Sequence, residues 1–182
     1  VFSSKPVVDP DVFMVAGFGR SRFVNIEASA TSAANLEWYV REFVERGAHH
    51  DDPFGYCNAR VAEIVPADDD PLFHPFLYGS GQGAEYRAGF YGMAGWHSEG
   101  HMLRALFEGV MFEHRRHIDV LRSAGVAFHS PVLSGGGARS PIWPQPRADG
   151  LGVAVTGADA DGRGQLATAL VPGHGTGTDA AR

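Results

Sequence analysis

The stretch Ser134–Gly152, which reads SGGGARSPIWPQPRADGLG, decides the fold of this chain. It follows the apolar run Val126–Leu133, which predicts a buried strand, although Pro131 weakens that prediction. The next helix is expected to begin at Ser140, with Pro141 in the favoured first position. A strand, a glycine turn and a helix start form the layout in which backbone N–H groups approach a phosphate or a nucleotide. By itself a triple glycine is a weak signal, because tight turns that bind nothing also use it.

Three ordered motifs resemble the FGGY carbohydrate kinases, in particular their xylulose and L-xylulose kinase-like branch. Gly135–Trp143 (GGGARSPIW) resembles the adenosine-binding loop of that family. Arg87–Glu108 (RAGFYGMAGWHSEGHMLRALFE) resembles its second signature, with Leu106 larger than that signature usually allows. Ile26–Trp38 (IEASATSAANLEW) resembles the stretch that follows the phosphate loop in L-xylulose kinase-like members. The resemblance covers roughly residues 5–157.

The resemblance implies an α/β fold of the ribonuclease H-like class, an actin/hexokinase-type ATPase lobe in which helices flank a mixed sheet. Strands and helices alternate after an initial antiparallel pair, and that order suits such a lobe. Residues 1–182 are expected to form a single C-terminal, nucleotide-binding lobe that is truncated. The N-terminal sugar-binding lobe, with its catalytic aspartate, and the Gly-Thr phosphate loop would precede Val1. Phosphoryl transfer depends on positioning across the whole cleft, so the chain alone is expected to be inactive.

The reaction that the resemblance implies is transfer of the ATP γ-phosphate to a hydroxyl of xylulose or another ketopentose or polyol. ATP/ADP and Mg²⁺ are the implied cofactors, and the sugar would bind through the missing N-terminal lobe. No catalytic residue and no metal site is assigned within this chain. The residues that the motif assigns to cofactor binding are Gly135, Gly136, Gly137, Ala138, Arg139 and Ser140. Glycine would leave bare backbone against adenine and ribose, and the capped helix would direct its positive end at the nucleotide.

Departures from the family pattern leave a second hypothesis open. Pro144 and Pro146 fall where the family continues a helix, and a proline inside a helix costs about 3 kcal/mol. In Gly162–Leu170, Gln165 and Ala167 break the glycine- and alanine-rich helix pattern of the family. The alternative is a degenerate, non-catalytic module for nucleotide binding or dimerisation. This alternative implies that two copies of the chain form a homodimer through this lobe.

Composition excludes several classes of function. The chain has 182 residues, a formal net charge of −6 and no basic stripe, which argues against nucleic acid or an anionic membrane surface as a partner. No apolar stretch approaches the ~18 residues that a membrane span requires. A single cysteine, Cys57, excludes an internal disulfide and an all-cysteine metal site. A cytoplasmic location is therefore expected.

Polar residues outside the glycine loop are expected to be structural. His97 and His101 share the spacing of zinc ligands, but Glu99 would point away and no third ligand is suitably spaced, so polar capping or core hydrogen bonding is the expected role. Cys57 is expected to be a buried or idle thiol. No two of the possible acid–base carboxylates have a diagnostic spacing; these are Glu27, Glu37, Glu99 and Glu108. Of these, Glu108 is expected to pair with Arg87 or Arg104.

The spacing of apolar residues predicts a strand pair followed by helices. Val12–Ala16 and Phe23–Ala28 are expected to form an antiparallel hairpin with a glycine-containing turn. A helix is expected over Ser29–Arg46, with Thr31 or Ser32 as its cap. The further predicted elements are a helix over Phe54–Val65, a strand over Phe73–Leu77, the longest helix over residues 98–123 with Gly125 as its stop, a strand over Val153–Thr156 and a last periodic piece over Gly164–Val171.

Overall fold

A computed structural model describes residues 1–29 and 32–126, and the backbone of Val132–Leu133, Val155–Ala158 and Gly164–Ala167. The first sheet is antiparallel and has three strands, β1 (Phe2–Ser3), β2 (Met14–Phe18) and β3 (Arg22–Ile26), in the order β1-β3-β2.

The predicted hairpin is confirmed as β2 and β3. Its register runs from Met14 opposite Ile26 to Phe18 opposite Arg22. Gly19, with φ +67°, lies in the turn, where a left-handed backbone favours glycine. The first strand was predicted two residues too early, because Gly17 and Phe18 pair with β3 instead of belonging to the turn.

The helix expected over Ser29–Arg46 forms in three consecutive parts, α1 (Ala34–Tyr39), a π-helical segment (Val40–Val44) and α2 (Glu45–Gly47). Its N-cap is Ala33, so the prediction that Ser32 caps it is wrong. The Ser32 hydroxyl instead lies 3.0 Å from His114 Nε2. Thr31, the other predicted cap, lies outside the described residues.

The helix α3 (Pro53–Ala62) confirms the second predicted helix, with an earlier end. Asp52 caps it by accepting a hydrogen bond from the Gly55 backbone N–H at 2.8 Å. The predicted helix extended to Val65, but the side chain of Val65 is exposed and does not contribute to the buried face of α3.

The strands β4 (Leu72–His74) and β5 (Gly89–Tyr91) form a separate antiparallel pair in which Phe73 lies opposite Phe90. The sequence predicted a strand over Phe73–Leu77, but Pro75 has no N–H to donate to a strand ladder and follows the observed end directly. β5, only three residues long, was not predicted.

The longest helix, α4 (Glu99–Ser123), agrees closely with its predicted bounds. Gly125, with φ +82°, ends it as expected: its N–H donates to the carbonyl of Arg122, and the Val126 N–H donates to that of Leu121. The side chains of Leu103, Leu106 and Val110 on α4 are at most 1% exposed. They form the centre of a hydrophobic core to which α1, the π-helical segment, α3 and β4 also contribute buried residues.

A third sheet joins β6 (Val132–Leu133), β7 (Val155–Ala158) and β8 (Gly164–Ala167). β6 pairs in parallel with β7, and β7 pairs antiparallel with β8, so this sheet is mixed as expected. β6 is the end of the predicted strand Val126–Leu133. The segment Gly162–Leu170, which corresponds in position to a family helix, contains the strand β8 instead. Gln165 and Ala167, the residues that break the helix pattern, lie in that strand.

Candidate functional site

The predicted cofactor-binding residues, Gly135, Gly136, Gly137, Ala138, Arg139 and Ser140, lie outside the described residues, as do Pro144 and Pro146. The strand that should lead into this glycine loop is present, because β6 ends at Leu133, immediately before Ser134. β6 pairs in parallel with β7, so the loop follows the carboxyl end of a parallel strand. In open α/β sheets, ligands bind beyond such strand ends.

The second signature forms β5 and the approach to α4. Gly92 has φ +78°, a conformation that favours glycine, and a Cβ there would lie 3.9 Å from Pro71 Cα. The indole Nε1–H of Trp96 donates to Asp69 Oδ2 at 3.1 Å. This hydrogen bond joins the segment between β5 and α4 to the segment that precedes β4.

His101 caps α4, and His97 holds the segment before it, so both histidines make the structural contacts that the sequence indicated. The Ser98 N–H donates to His101 Nδ1 at 3.0 Å in a capping box at the start of the helix. The Ala94 backbone N–H, which precedes the helix, donates to His97 Nδ1 at 3.0 Å. Within the described ranges, no three His, Cys, Asp or Glu side chains come together in a group that could hold a metal ion.

Two glycines let α4 pack closely against its neighbours. A Cβ at Gly100 would lie 2.7 Å from the carbonyl oxygen of Arg60 on α3. A Cβ at Gly109 would overlap the carbonyl group of Phe73 on β4. Both positions are therefore closed to larger side chains unless the backbone shifts.

The partner of Glu108 is Arg104, one of the two candidates left open by the sequence. Arg104 Nη2 lies 2.6 Å from Glu108 Oε1, and Arg104 Nε lies 3.7 Å from Asp70 Oδ2. The other candidate, Arg87, donates to the backbone carbonyls of Ala84 and Tyr86. Glu108 thus lies in an ion pair within the lobe.

Glu99 is engaged by a tyrosine. The Tyr56 hydroxyl donates to Glu99 Oε2 at 2.6 Å. Nearby, Cys57 is a free thiol with no exposed surface, which confirms the predicted buried cysteine. Burial and, to a smaller extent, the charge of Glu99 raise the pKa of this thiol to about 12. At neutral pH it is therefore protonated and a poor nucleophile.

A buried charged cluster on α4 was not predicted. Arg116 donates to Glu113 through Nε at 3.1 Å and through Nη2 at 2.9 Å, and His117 Nε2 lies 3.2 Å from Glu113 Oε1. Burial alone would raise the pKa of Glu113, but His117 and Arg116 outweigh it and lower the pKa to about 2. The helical spacing of the three residues could have indicated these contacts. Nothing in the sequence indicated that Glu27, after β3, lies 4.0 Å from Arg116.

A groove of about 320 Å³ runs between the β4 region and α4. Its lining comprises Pro71–Phe76 and, on α4, Ala105, Glu108, Gly109, Phe112, Glu113 and Arg116. The lining holds no cysteine, serine or threonine nucleophile. Its two carboxylates, Glu108 and Glu113, pair with Arg104 and Arg116.

Comparisons with known proteins agree with this architecture. The family model for the "FGGY family of carbohydrate kinases, C-terminal domain" matches residues 3–170. The chain is 37% identical to the L-xylulose/3-keto-L-gulonate kinase of Escherichia coli (strain K12) over 155 residues, which cover 85% of this chain and 30% of that protein. It is 38% identical to a probable L-xylulose kinase of Pasteurella multocida (strain Pm70) over 154 residues, with the same coverage.

Among solved structures, the xylulose kinase from Rhodospirillum rubrum superposes with a TM-score of 0.77 and 25% identity, covering 86% of this chain and 32% of that one. The chain spans about 30% of the length of the curated relatives that it matches. The chain belongs to the FGGY family of carbohydrate kinases, as its C-terminal domain.

Proposed function

We propose that this chain is the nucleotide-binding lobe of an ATP-dependent kinase that phosphorylates xylulose, L-xylulose or a related ketose or polyol. The observation that carries the proposal is the match of residues 3–170 to the family's C-terminal domain, together with relatives named as L-xylulose kinases at 37% and 38% identity. β6 leads directly into the glycine loop and supports a ligand site at that strand end.

In this proposal Gly135–Ser140 contact the adenosine part of ATP. Glycine residues expose backbone that can approach the adenine and ribose closely. Ser140 caps the following helix, whose N-terminal end favours the negative charge of phosphate groups.

The residue that takes the proton from the sugar hydroxyl is proposed to lie outside this chain. Three of the four candidate carboxylates have partners: Glu99 accepts from Tyr56, Glu108 pairs with Arg104, and Glu27 accepts from the Phe13 N–H at 2.5 Å. The fourth, Glu37, is exposed on α1. Mg²⁺ is proposed to enter bound to the triphosphate of the substrate. Phosphoryl transfer requires both halves of the cleft, so this chain alone is expected to transfer no phosphate.

Measurement of sugar-dependent ADP release tests this proposal. The parent kinase that contains this chain is assayed with D-xylulose, L-xylulose and a sugar-free control. We expect ADP release by the parent with at least one ketose, and none by this chain at equal molar concentration. Sugar-dependent ADP release by the isolated chain, in proportion to its concentration at each purification step, would contradict the proposal that this chain alone transfers no phosphate. A parent inactive with every ketose and polyol would contradict the proposed reaction.

A second candidate, a non-catalytic dimerisation module, is favoured by one apolar surface. Phe2, Met14 and Phe18 are 56%, 47% and 57% exposed, and their strand register places them on one face of the first sheet. Exposed apolar patches of this kind commonly mark interaction sites. Light scattering after size exclusion tests it: a dimer that Phe18→Ser dissociates would support this candidate, and a strict monomer would exclude it.

We also propose a cytoplasmic location for the parent kinase, because ATP is available there and a single cysteine offers no internal disulfide. Within the described residues no helix has the length and apolar character needed to cross a membrane.

A further inference from the structure

We propose that two copies of this chain associate edge to edge through β2, so that the first sheet of one copy continues into the first sheet of the other. The inference rests on the apolar surface that favours the second candidate function, the homodimer, and it gives that dimer a defined interface. It holds for a catalytic parent kinase as well as for a non-catalytic module, because the interface uses no residue assigned to the nucleotide or the sugar.

The strand order leaves β2 with a free edge. In the order β1-β3-β2 the middle strand is β3, and within the described residues β2 (Met14–Phe18) pairs with β3 alone. A free edge presents unpaired backbone N–H and C=O groups to any extended chain. Proteins usually block such an edge with charged side chains or proline, but the β2 sequence MVAGF has neither. This edge is therefore open to a further strand.

The hydrogen bonds of β3 show which of its backbone groups point towards β2. Val1 and Asn25 exchange both backbone hydrogen bonds: the Asn25 N–H donates to the Val1 carbonyl at 2.8 Å, and the Val1 amino group donates to the Asn25 carbonyl at 2.9 Å. The backbone groups of Asn25 thus point towards β1. Because this direction alternates along a strand, those of Val24 and Ile26 point towards β2.

The free edge of β2 is consequently formed by two of its residues. Ala16 lies opposite Val24 in the register, so the N–H and C=O of Ala16 point towards β3. By the same alternation, the N–H and C=O of Val15 and Gly17 point away from β3. These two residues carry the backbone donors and acceptors that a further strand can bind.

A second copy of β2 matches this edge. When two β2 strands lie antiparallel about a two-fold axis through Ala16, Val15 of each copy faces Gly17 of the other. Each such pair can exchange N–H···O=C hydrogen bonds, because the backbone groups of both residues point into the edge. The same surface then serves both copies, which is the condition for a closed, two-fold symmetric dimer.

The side chains suit the same register. It places Met14 opposite Phe18 of the second copy, on the face of the sheet where these side chains are 47% and 57% exposed. Phe2 packs edge-on against Phe18 with ring centroids 5.2 Å apart and widens the apolar surface. A methionine sulfur beside an aromatic ring is favourable, and cross-strand pairs of this kind stabilise a sheet. Val15 points to the other face, where it packs against the buried cluster at the end of α4.

Proline at Gly17 tests the backbone contacts in the complete parent kinase. Gly17→Pro removes the outward N–H, and proline is accepted on an edge strand where the N–H faces solvent. Gly17→Ala is the matched control, because it keeps the N–H and its Cβ would meet no atom within 4 Å. Light scattering after size exclusion gives the mass, and circular dichroism shows whether each variant is folded. We expect a dimer for the wild type and for Gly17→Ala, and half that mass for Gly17→Pro.

A charge swap at Ala16 tests the register and does not depend on how Gly17→Pro folds. In the proposed register Ala16 lies opposite Ala16 of the second copy, and like charges directly opposite each other destabilise a strand pair. Ala16→Lys and Ala16→Glu should therefore each reduce the measured mass to that of a monomer. An equimolar mixture of the two variants should regain the mass of the dimer, because opposite charges then face each other.

The outcomes separate this inference from the proposed reaction. A folded Gly17→Pro protein that stays dimeric, or a mixture of the two Ala16 variants that stays monomeric, would overturn pairing through β2. Assemblies that grow beyond two chains with concentration would overturn the closed two-fold arrangement. A monomeric wild type would overturn both this inference and the dimerisation module. Sugar-dependent ADP release is measured on the same samples, so a failure of the proposed reaction is recorded independently of the mass.

Discussion

Glu113 is a carboxylate on α4 that is 7% exposed and is held ionised by Arg116 and His117. Its pKa falls from the ordinary 4.5 to about 2 in the folded chain. A group whose pKa is lowered by folding stabilises the fold fully above its unfolded pKa, and that contribution disappears as the pH falls towards the folded value. We therefore expect the free energy of unfolding to decrease between about pH 5 and pH 2, by about 2–3 kcal/mol from this group.

Urea unfolding at a series of pH values measures this effect. The matched variant is Glu113→Gln, which keeps the shape of the side chain and removes the titrating group. It should be less stable than the wild type at pH 6, and the difference should shrink as the pH falls towards 2. An equal difference at both pH values would show that the ionisation of Glu113 does not stabilise the fold.

Cys57 provides a second residue-level prediction. With no exposed surface and a pKa raised to about 12 by burial and by Glu99, the thiol should be unreactive in the folded chain at pH 8. Titration with Ellman's reagent should give almost no reaction in buffer and one thiol per chain in urea. Rapid reaction of the folded protein would mean that the packing of α3 against α4 opens readily.

At the scale of single residues, sequence reasoning succeeds where the partner lies close along the chain. Arg104, four positions before Glu108, was one of two partners that the sequence left open, and the ion pair is present. Cys57, which has no adjacent base, was expected to be a buried or idle thiol, and it is buried. Glu27 and Arg116 belong to segments far apart in the sequence, and only the fold brings them together.

Gly109 tests how α4 packs as an element. In an exposed helix, replacing glycine with alanine is favourable by about 1 kcal/mol, because glycine is the more flexible residue. At Gly109 the added Cβ would overlap the carbonyl of Phe73 on β4. We expect Gly109→Ala to destabilise the chain by about 1–3 kcal/mol, the usual cost of overpacking. Chemical unfolding monitored by circular dichroism measures the change.

The matched control is Gly47→Ala at the end of α2, where a Cβ would have no atom within 4 Å. This variant should be neutral or slightly stabilised. A Gly109→Ala protein as stable as Gly47→Ala would show that β4 does not lie as close to α4 as described.

Long elements with a strong period were predicted more accurately than short ones. α4 has an apolar face over many turns and a glycine stop, so its bounds agree with the sequence. Of the two three-residue strands, β4 was predicted with an end that lies too late, and β5 was not predicted. Ser32, a predicted cap, instead contacts His114 on α4, and local propensity cannot reveal such a tertiary contact.

At the scale of the whole molecule, the family and fold followed from the three motifs, and the match to residues 3–170 confirms them. The glycine-loop assignment stays a prediction, because Gly135–Ser140 lie outside the described residues. The sugar could not be predicted, since the chain corresponds to about 30% of the length of its relatives and the resemblance assigns the sugar site to the other lobe.

The central claim is that the glycine loop of this chain binds the nucleotide of the parent kinase. Calorimetric titration of the parent with Mg·ADP, in the wild type and in Gly137→Val, tests it most directly. The control is Gly81→Val, in a loop where a Cβ would meet no atom within 4 Å. We predict saturable binding by the wild type and by Gly81→Val, and its loss in a folded Gly137→Val protein. Undiminished Mg·ADP binding by Gly137→Val would contradict the claim.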